Sequence, residues 1–295
     1  MKVVKIMKKC NMCPRGCNID RSKSAGFCGS NDKLKIGKIM LHNWEEPILA
    51  KVNSGAIFFS NCPLKCVFCQ NYEISQNGKG KEITIQQLVD IMKDLESRGA
   101  ENIDLVSPTQ YIDQIVEALK IYKPKVPVIW NSNGYEKVES LEKLEGLVDI
   151  FLPDFKYASQ KLSTEYSKCH NYFEVTTKAL LKMRDICSED IYDGEKLVKG
   201  VVVRHLVLPT HYLNTKLVLK WIKENLGTDT IISVMSQYVP HFKAKNHNIL
   251  SKKVSFKEYE KVKNLVINMG FENGFLQDME SADECYIPSF EKVFN

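Results

Sequence analysis

Three cysteines within eight residues constrain this chain more than any other feature of its sequence. Cys62, Cys66 and Cys69 directly follow the apolar run 56–59, with three and two residues between successive cysteines. A protein-bound cluster of four irons and four sulfurs normally takes four thiolates, and no fourth cysteine lies close to this loop. If the loop binds such a cluster, one iron stays open to another ligand. A catalytic zinc differs from a structural zinc in the same way, by an open coordination position.

Two simpler roles compete with the cluster at this loop. Free cysteine is common in hydrophobic cores, and three cysteines also suit a zinc-binding loop. Three core cysteines in so short a stretch, beside Pro63 and Lys65, would be an unusual way to fill a core. We therefore favour the cluster.

Length, charge and cysteine usage narrow the class of protein. The chain has 295 residues, which suggests about two domains or one α/β barrel with additions. Cysteines that fall in groups are typical of metal ligands rather than of a disulfide framework. No apolar run approaches the roughly 18 residues of a membrane span, and residues 1–9 lack the apolar core of a secretory signal. We expect a soluble, cytoplasmic protein, and the mild net charge of +5 does not indicate a nucleic-acid partner.

A second group of cysteines lies near the amino terminus. Cys10, Cys13, Cys17 and Cys28 supply four thiolates, bracketed by glycines that permit tight turns. Four sulfurs suit either a closed tetrahedral zinc or a complete iron–sulfur cluster, and the spacing does not separate the two. The alternative is four cysteines without a metal. The remaining cysteines, Cys169, Cys187 and Cys285, are isolated and are expected to be structural.

Residues from about 51 to 240 alternate between strand-like apolar runs and segments with helical apolar spacing. Such alternation is typical of parallel βα units. Thr84 predicts the start of one helix, because it precedes apolar positions at helical spacing that end before Arg98. The predicted strands are 56–59, 103–106, 126–130, 148–152, 200–207 and 231–235. The predicted helices include 85–95, 112–119, 138–144, 172–186 and 217–222, with a further helix near 256–269.

The cysteine loop also resembles the signature of a known enzyme superfamily. Phe68 precedes the last cysteine and Asn71 lies two residues beyond it, as in radical S-adenosylmethionine (SAM) enzymes. Within that superfamily, residues 66–71 look most like the pyruvate formate-lyase activating enzymes and their relatives. The resemblance covers about residues 54–240. It implies an α/β fold with a partial (β/α)6 TIM-type barrel at 51–240, a Cys-rich extension at 1–50 and a helical extension at 241–295.

The resemblance implies a cofactor and a type of reaction. Cys62, Cys66 and Cys69 would hold a [4Fe–4S] cluster whose open iron is chelated by SAM. An electron would then cleave SAM, and the 5′-deoxyadenosyl radical would remove a hydrogen atom from the substrate. The implied partners are a one-electron donor of the flavodoxin or ferredoxin type and, for an activating enzyme, a glycyl radical enzyme. A small-molecule or peptide substrate is the second hypothesis, and a non-catalytic iron–sulfur or zinc protein is the third.

Active sites of such barrels lie at the carboxyl ends of the strands, so polar residues there are the candidates for SAM binding. Ser107-Pro108-Thr109 stands where the activating enzymes have a Gly-Gly-Glu motif, and Ser132-Asn133-Gly134 resembles their Thr-Asn-Gly. Residues 152–156 look like their Leu-Asp-Leu-Lys segment, Arg204 matches an arginine that contacts SAM, and residues 235–238 replace a His-containing segment. The candidates are therefore Phe68, Ser107, Thr109, Ser132, Asn133, Asp154, Lys156, Arg204 and Gln237.

Each candidate also has a scaffold role open to it. Ser107 and Thr109 suit turns and helix caps, and Asp154 with Lys156 suits a surface ion pair of little energetic value. Phe68 suits either the neighbourhood of the SAM adenine or the core.

Overall fold

The computed structural model describes residues 9–43, 46–277, 279 and 288–293. The strands are β1 (Leu34–His42), β2 (Ser54–Phe59), β3 (Lys81–Ile83), β4 (Asn102–Val106), β5 (Val128–Ser132), β6 (Ile150–Pro153), β7 (Ile191–Asp193), β8 (Lys196–Leu206), β9 (Ile231–Met235) and β10 (Gly274–Leu276). The α-helices are α1 (Tyr72–Ser75), α2 (Ile85–Ser97), α3 (Ile112–Ile121), α4 (Val138–Leu141), α5 (Gln160–Ser167), α6 (Tyr172–Ile186), α7 (Tyr212–Leu226) and α8 (Phe256–Met269). Short 3-10 helices lie at Thr109–Tyr111, Glu142–Leu144 and Phe242–Asn246.

Six parallel strands form the centre of one sheet. They lie side by side in chain order as β2, β4, β5, β6, β8 and β9. Helices connect successive strands, as expected for parallel strands, which need long crossovers. All six predicted strands are therefore present, and the α/β prediction is confirmed.

The two faces of the sheet bury different side chains. Register partners Leu105, Trp130 and Phe151 share one face and lie in the large core cluster that also contains the apolar side chains of the helices. The opposite face carries a smaller buried cluster that includes Ile129 and Leu152. Because alternate residues of a strand face the same side, Asn131 shares this second face with Ile129. Asn131, near the end of β5, therefore lies on the face of the sheet opposite the helices.

The start of α2 forms as the sequence predicts. The Thr84 hydroxyl accepts a hydrogen bond from the backbone N–H of Gln87, and the Gln87 side chain accepts one from the N–H of Thr84. This reciprocal cap satisfies two of the donors that a helix start leaves unpaired. The apolar side chains of Leu88, Val89, Met92 and Leu95 in α2 are buried. Helix α6 and strand β9 likewise have their predicted bounds.

Strands outside the central six were not predicted. Strand β1 pairs antiparallel with β2 and with β3, and β10 pairs in parallel with β9. Residues 34–42 and 274–276 thus add strands at both edges of the sheet. The sequence had indicated only a Cys-rich and a helical extension at the two ends of the chain, without strands. The division of the chain at about residues 50 and 240 stays a prediction. Among the described residues, no helix combines the length and the apolar character needed to cross a bilayer.

Candidate functional site

The three-cysteine loop follows β2 directly and lies at the carboxyl end of that strand. Cys62 and Cys66 are buried, and Cys69 is partly buried. Each sulfur has its own polar neighbour. Asn133 Nδ2 donates to Cys62 Sγ at 3.4 Å, and the hydroxyls of Ser167 and Ser75 lie 2.9 Å and 3.2 Å from Cys66 Sγ and Cys69 Sγ.

Helix α5 holds the backbone of this loop. The N–H groups of Lys65 and Val67 donate to the carbonyls of Ser167 and Tyr166, at 3.2 Å and 2.8 Å. These carbonyls belong to the last turn of α5, where a helix has no internal partner for them. The loop therefore satisfies the end of the helix, and the helix fixes the path of the loop between its cysteines.

Burial favours the neutral form of the loop thiols. Burial, together with the neighbouring Cys66 and Cys69, raises the pKa of the Cys62 thiol to about 12. Burial and Cys66 raise the pKa of Cys69 to about 11. Thiols with such pKa values become thiolates when a metal centre supplies positive charge beside them. Three thiols, each with a hydrogen-bonding neighbour, fit the three protein ligands of an iron–sulfur cluster.

Among the residues that the structure describes, no three His, Cys, Asp or Glu side chains gather around a point that would suit a single metal ion. A four-iron cluster distributes its thiolates over four irons. The sulfurs of such a site therefore need not converge on one position.

A row of hydrogen-bonded polar side chains, which we call the polar chain, crosses the neighbouring strands on the face of the sheet opposite the helices. Asp104 Oδ2 accepts from Asn131 Nδ2 at 3.1 Å, and Asn131 Oδ1 accepts from Arg204 Nη2 at 2.6 Å. Arg204 Nε donates to Asp154 Oδ1 at 3.0 Å, and Lys156 Nζ donates to Asp154 Oδ2 at 2.5 Å. These side chains come from β4, β5, β8 and the end of β6, so the fold brings together residues that are far apart in sequence.

The charges in this polar chain support one another. Burial alone would raise the pKa of Asp154, but the Lys156 and Arg204 charges outweigh it and hold the pKa below its usual value. Burial opposes the charge of Lys156, yet Asp154 and the Cys66 thiolate together raise its pKa. Lys156 therefore links the polar chain electrostatically to the cysteine loop. The side chains of Asp154, Lys156 and Arg204 are only 15–17% exposed.

Other predicted site residues make contacts that also suit a scaffold. Ser107 has a left-handed backbone with φ of 55°, and its N–H donates to the Asn131 carbonyl. The Ser132 hydroxyl accepts from the N–H of Gly134 at 3.2 Å. Left-handed non-glycine residues are strained and concentrate at functional sites, which keeps Ser107 as a candidate.

One aromatic candidate, Phe68, and one amide candidate, Gln237, lie near the end of β9. Phe68 is buried and packs edge-on against Tyr238, with ring centres 5.9 Å apart. Gln237 hydrogen bonds to Met235 and to Gln277. Their roles in SAM binding stay predictions.

Thr109 contacts a buried carboxyl group that sequence reasoning missed. Its hydroxyl donates to Glu136 Oε1 at 2.6 Å, and Trp130 Nε1 donates to the same oxygen at 3.4 Å. Burial raises the pKa of Glu136 to about 7. Only its position four residues after Ser132 could have drawn attention to it.

Tyr172 and Ser167 were also missed. The Tyr172 hydroxyl lies 2.8 Å from the Asn133 carbonyl and 2.7 Å from the Asp154 carbonyl, and it accepts from the N–H of Lys156. It thereby ties the ends of β5 and β6 together. No local motif marks either residue, because the partners of each lie in other parts of the fold.

The amino-terminal cysteines lie against the three-cysteine loop. Arg15 Nε donates to the Pro63 carbonyl at 2.8 Å, and Lys65 Nζ donates to the Cys28 carbonyl at 3.2 Å. Burial, together with the neighbouring Cys28, Cys10 and Cys17 thiols, raises the pKa of Cys13 to about 12. The four thiols therefore share one neighbourhood, as their spacing suggests.

The isolated cysteines are consistent with structural roles. Cys169 and Cys187 are buried, and every cysteine that the structure describes is free of disulfides. Cys285 lies outside the described residues.

Solved structures of other proteins share this fold. HydG from Carboxydothermus hydrogenoformans, a maturase of the FeFe-hydrogenase, superposes with a TM-score of 0.52 at 15% identity, covering 76% of this chain and 53% of its own. SuiB from Streptococcus suis has a TM-score of 0.51 at 14% identity, covering 74% of this chain and 47% of its own. The chain spans about half the length of these structures. They agree with the predicted partial-barrel fold.

The sequence matches at the level of the family. An uncharacterised protein of Methanocaldococcus jannaschii is 32% identical over 266 residues, which cover 87% of this chain and 73% of that protein. The family model of the Radical SAM superfamily matches residues 56–235, which is more than half of the chain. The chain therefore belongs to the radical SAM superfamily, a family of enzymes that use a [4Fe–4S] cluster and SAM.

Proposed function

We propose that this protein uses SAM to abstract a hydrogen atom from its substrate, with Cys62, Cys66 and Cys69 holding the cluster. One observation carries the proposal: three thiols, two of them buried and each with its own hydrogen-bonding neighbour, lie at the end of β2 beside Lys156. When bound, the cluster and SAM supply the one-electron chemistry that yields a hydrogen-abstracting radical.

The side chains around the loop bind and orient the cofactors. Asn133, Ser167 and Ser75 hydrogen bond to the three sulfurs and fix their directions. SAM carries both a carboxylate and an ammonium group. The polar chain, which runs from Asp104 through Asn131, Arg204 and Asp154 to Lys156, carries both positive and negative groups. We therefore assign it to binding the amino-acid part of SAM.

The segment after β9 shields the loop from water. The N–H of Ala244 donates to the Val67 carbonyl at 3.0 Å, and Phe242 stacks on Tyr72 with ring centres 4.4 Å apart. Exclusion of water and oxygen protects radical chemistry from side reactions.

For the substrate, we retain activation of a glycyl radical enzyme as the first candidate. It rests on the likeness of residues 66–71, Asn133 and Arg204 to the activating enzymes. A small molecule or peptide is the second candidate, favoured by the packing of residues 242–246 onto the cysteine loop, which narrows access from that side. A flavodoxin or ferredoxin is the proposed electron donor. Free thiols throughout the described residues support a reducing compartment such as the cytoplasm.

Anaerobic reconstitution with iron and sulfide, followed by dithionite and SAM, tests the proposal. We expect the wild-type protein to release 5′-deoxyadenosine and the Cys66→Ala variant to release none. Cys187→Ala is the matched control, because Cys187 is a buried free cysteine that contacts the Asp149 carbonyl instead of the loop. Fully reconstituted wild-type protein that releases no more than Cys66→Ala would refute the proposal. A glycyl-radical doublet on a co-incubated partner, seen by electron paramagnetic resonance, would select the first substrate class.

A further inference from the structure

The segment that carries the amino-terminal cysteines has no regular secondary structure. Residues 9–33 form only turns, bends and extended stretches, but Cys13 and Cys28 are both buried, at 6% exposure each. The N–H groups of Phe27 and Ser30 donate to Cys17 Sγ and Cys28 Sγ, both at 3.4 Å. Amide donors aimed at sulfur are suited to a thiolate, which is a better acceptor than a thiol.

A glycine keeps the space between two of these sulfurs open. A Cβ atom at Gly26 would lie 3.5 Å from Cys17 Sγ and 3.6 Å from Cys28 Sγ. Both sulfurs therefore border the same small space beside the backbone.

Two arginines beside the cysteines have N–H groups that lack hydrogen-bond partners. Arg21 is 6% exposed, and its Nε and Nη2 are buried without a hydrogen-bond acceptor among the described residues. Arg15 Nη2 is in the same situation. Arg15 Nε and Arg21 Nη1 donate to the carbonyls of Pro63 and Gln110, but a buried N–H group without an acceptor still costs free energy. A centre of four thiolates carries net negative charge even after it binds a divalent metal, so it would balance both guanidinium groups.

Arg15 also connects the amino-terminal segment to the three-cysteine loop. Arg15 stacks on Phe27 at 4.0 Å and donates to the Pro63 carbonyl, next to Cys62. In return, Lys65 in the three-cysteine loop donates to the Cys28 carbonyl of the amino-terminal segment. The two cysteine groups thus hold each other by reciprocal hydrogen bonds.

We propose that Cys10, Cys13, Cys17 and Cys28 bind a second metal centre through their thiolates. The positive charges of Arg15 and Arg21 balance its negative charge, and the centre holds the three-cysteine loop in place. The positioning of that loop rests on the proposed function, whereas the presence of the metal does not. Zinc and iron–sulfur centres both bind thiolates, and the experiment separates them. The described sulfurs do not gather around a single point, so a tetrahedral zinc would require them to move together, whereas a cluster distributes its thiolates over several irons.

The metal is measured in full-length protein with the catalytic ligands removed, as Cys62→Ala/Cys66→Ala/Cys69→Ala. After anaerobic loading with iron and sulfide, or with zinc, we expect about four irons or about one zinc per chain. Iron with visible charge-transfer absorption identifies a cluster, and colourless stoichiometric zinc identifies a tetrahedral site. A chain with no stoichiometric metal overturns the proposal. Metal that persists after further Cys13→Ser and Cys28→Ser substitutions does so as well.

Arg15→Gln tests the link between the two groups without removing a ligand. We expect several-fold weaker SAM binding and several-fold faster loss of catalytic iron to a chelator, with the catalytic cysteines unchanged. Arg98→Gln is the control, because Arg98 pairs with Asp94 on the exposed surface of α2, away from both cysteine groups. Equal chelation rates and SAM affinities in Arg15→Gln and wild type would overturn the positioning role. Failure of SAM cleavage in all proteins would instead count against the proposed function.

Discussion

The hydroxyl of Ser167 lies 2.9 Å from Cys66 Sγ and 2.7 Å from the hydroxyl of Tyr157. Ser167 and Tyr157 are fully buried, and Cys66 nearly so. With Cys66 as a cluster ligand, as proposed, its thiolate could only accept, so Ser167 would donate to Cys66 and Tyr157 would donate to Ser167. Hydrogen bonds to the sulfurs are among the features that set the potential of an iron–sulfur cluster.

Ser167→Ala is therefore expected to lower the midpoint potential of the catalytic cluster. The lost hydrogen bond stabilises the reduced cluster more than the oxidised one, because the reduced cluster carries more negative charge. A redox titration followed by electron paramagnetic resonance measures the shift. Ser163→Ala serves as the control, since Ser163 is buried on the same helix but bonds to the Gln160 carbonyl. Identical potentials in Ser167→Ala and wild type would contradict the assignment.

Asp154→Asn is expected to destabilise the protein by about 3 kcal/mol, because it leaves the mostly buried charges of Lys156 and Arg204 without their carboxylate. Chemical denaturation at neutral pH measures the loss. Asp94→Asn removes an exposed partner of Arg98 and should cost less than about 1 kcal/mol. Equal losses in the two variants would show that the interior ion pairs contribute no more than a surface pair.

The same carboxylate gives a signed pH dependence. Its pKa is lowered from the usual 3.8, so its contribution to stability is present above that pH and is lost as the pH falls through the lowered value. The difference in unfolding free energy between wild type and Asp154→Asn should therefore shrink at strongly acidic pH.

Glu136 gives the opposite dependence. Its pKa is raised from 4.5 to about 7 by burial, so the folded state holds a proton that the unfolded state has released. Wild-type stability should fall between about pH 4.5 and pH 7 and then level off, by about 3 kcal/mol at most. Glu136→Gln has no proton to lose and should escape this decline. Denaturation midpoints at pH 5 and pH 8 measure it, and parallel changes in both proteins would exclude the effect.

Gly134 is expected to tolerate no side chain. Its φ is 74°, and an added Cβ would lie 2.3 Å from the Asp154 carbonyl oxygen. Gly146 has nearly the same φ of 73° but nothing within 4 Å. Gly146→Ala should therefore cost about 1–2 kcal/mol from the backbone alone, and Gly134→Ala clearly more. If thermal unfolding shows equal losses, the close approach of β6 to Gly134 is not rigid.

Local sequence determined the elements that depend on neighbours along the chain. The cap and the apolar spacing fix α2, the apolar runs give the six parallel strands, and the loop from Cys62 to Cys69 indicated the cofactors of the family. Short edge strands were not predictable, because β3 and β10 are three residues long and form through pairing with distant segments.

Tertiary structure alone decided which groups meet at the site. Ser167 is 101 residues from Cys66, and Arg204 is 73 residues from Asn131. Such contacts depend on the order of strands in the sheet and on where each helix ends. The sequence by itself determined that thiolates would be grouped and that polar residues would follow the strands. The packing of α5 and of the amino-terminal cysteines decided their partners, because hydrogen bonds act over about 3 Å in space at any separation in sequence.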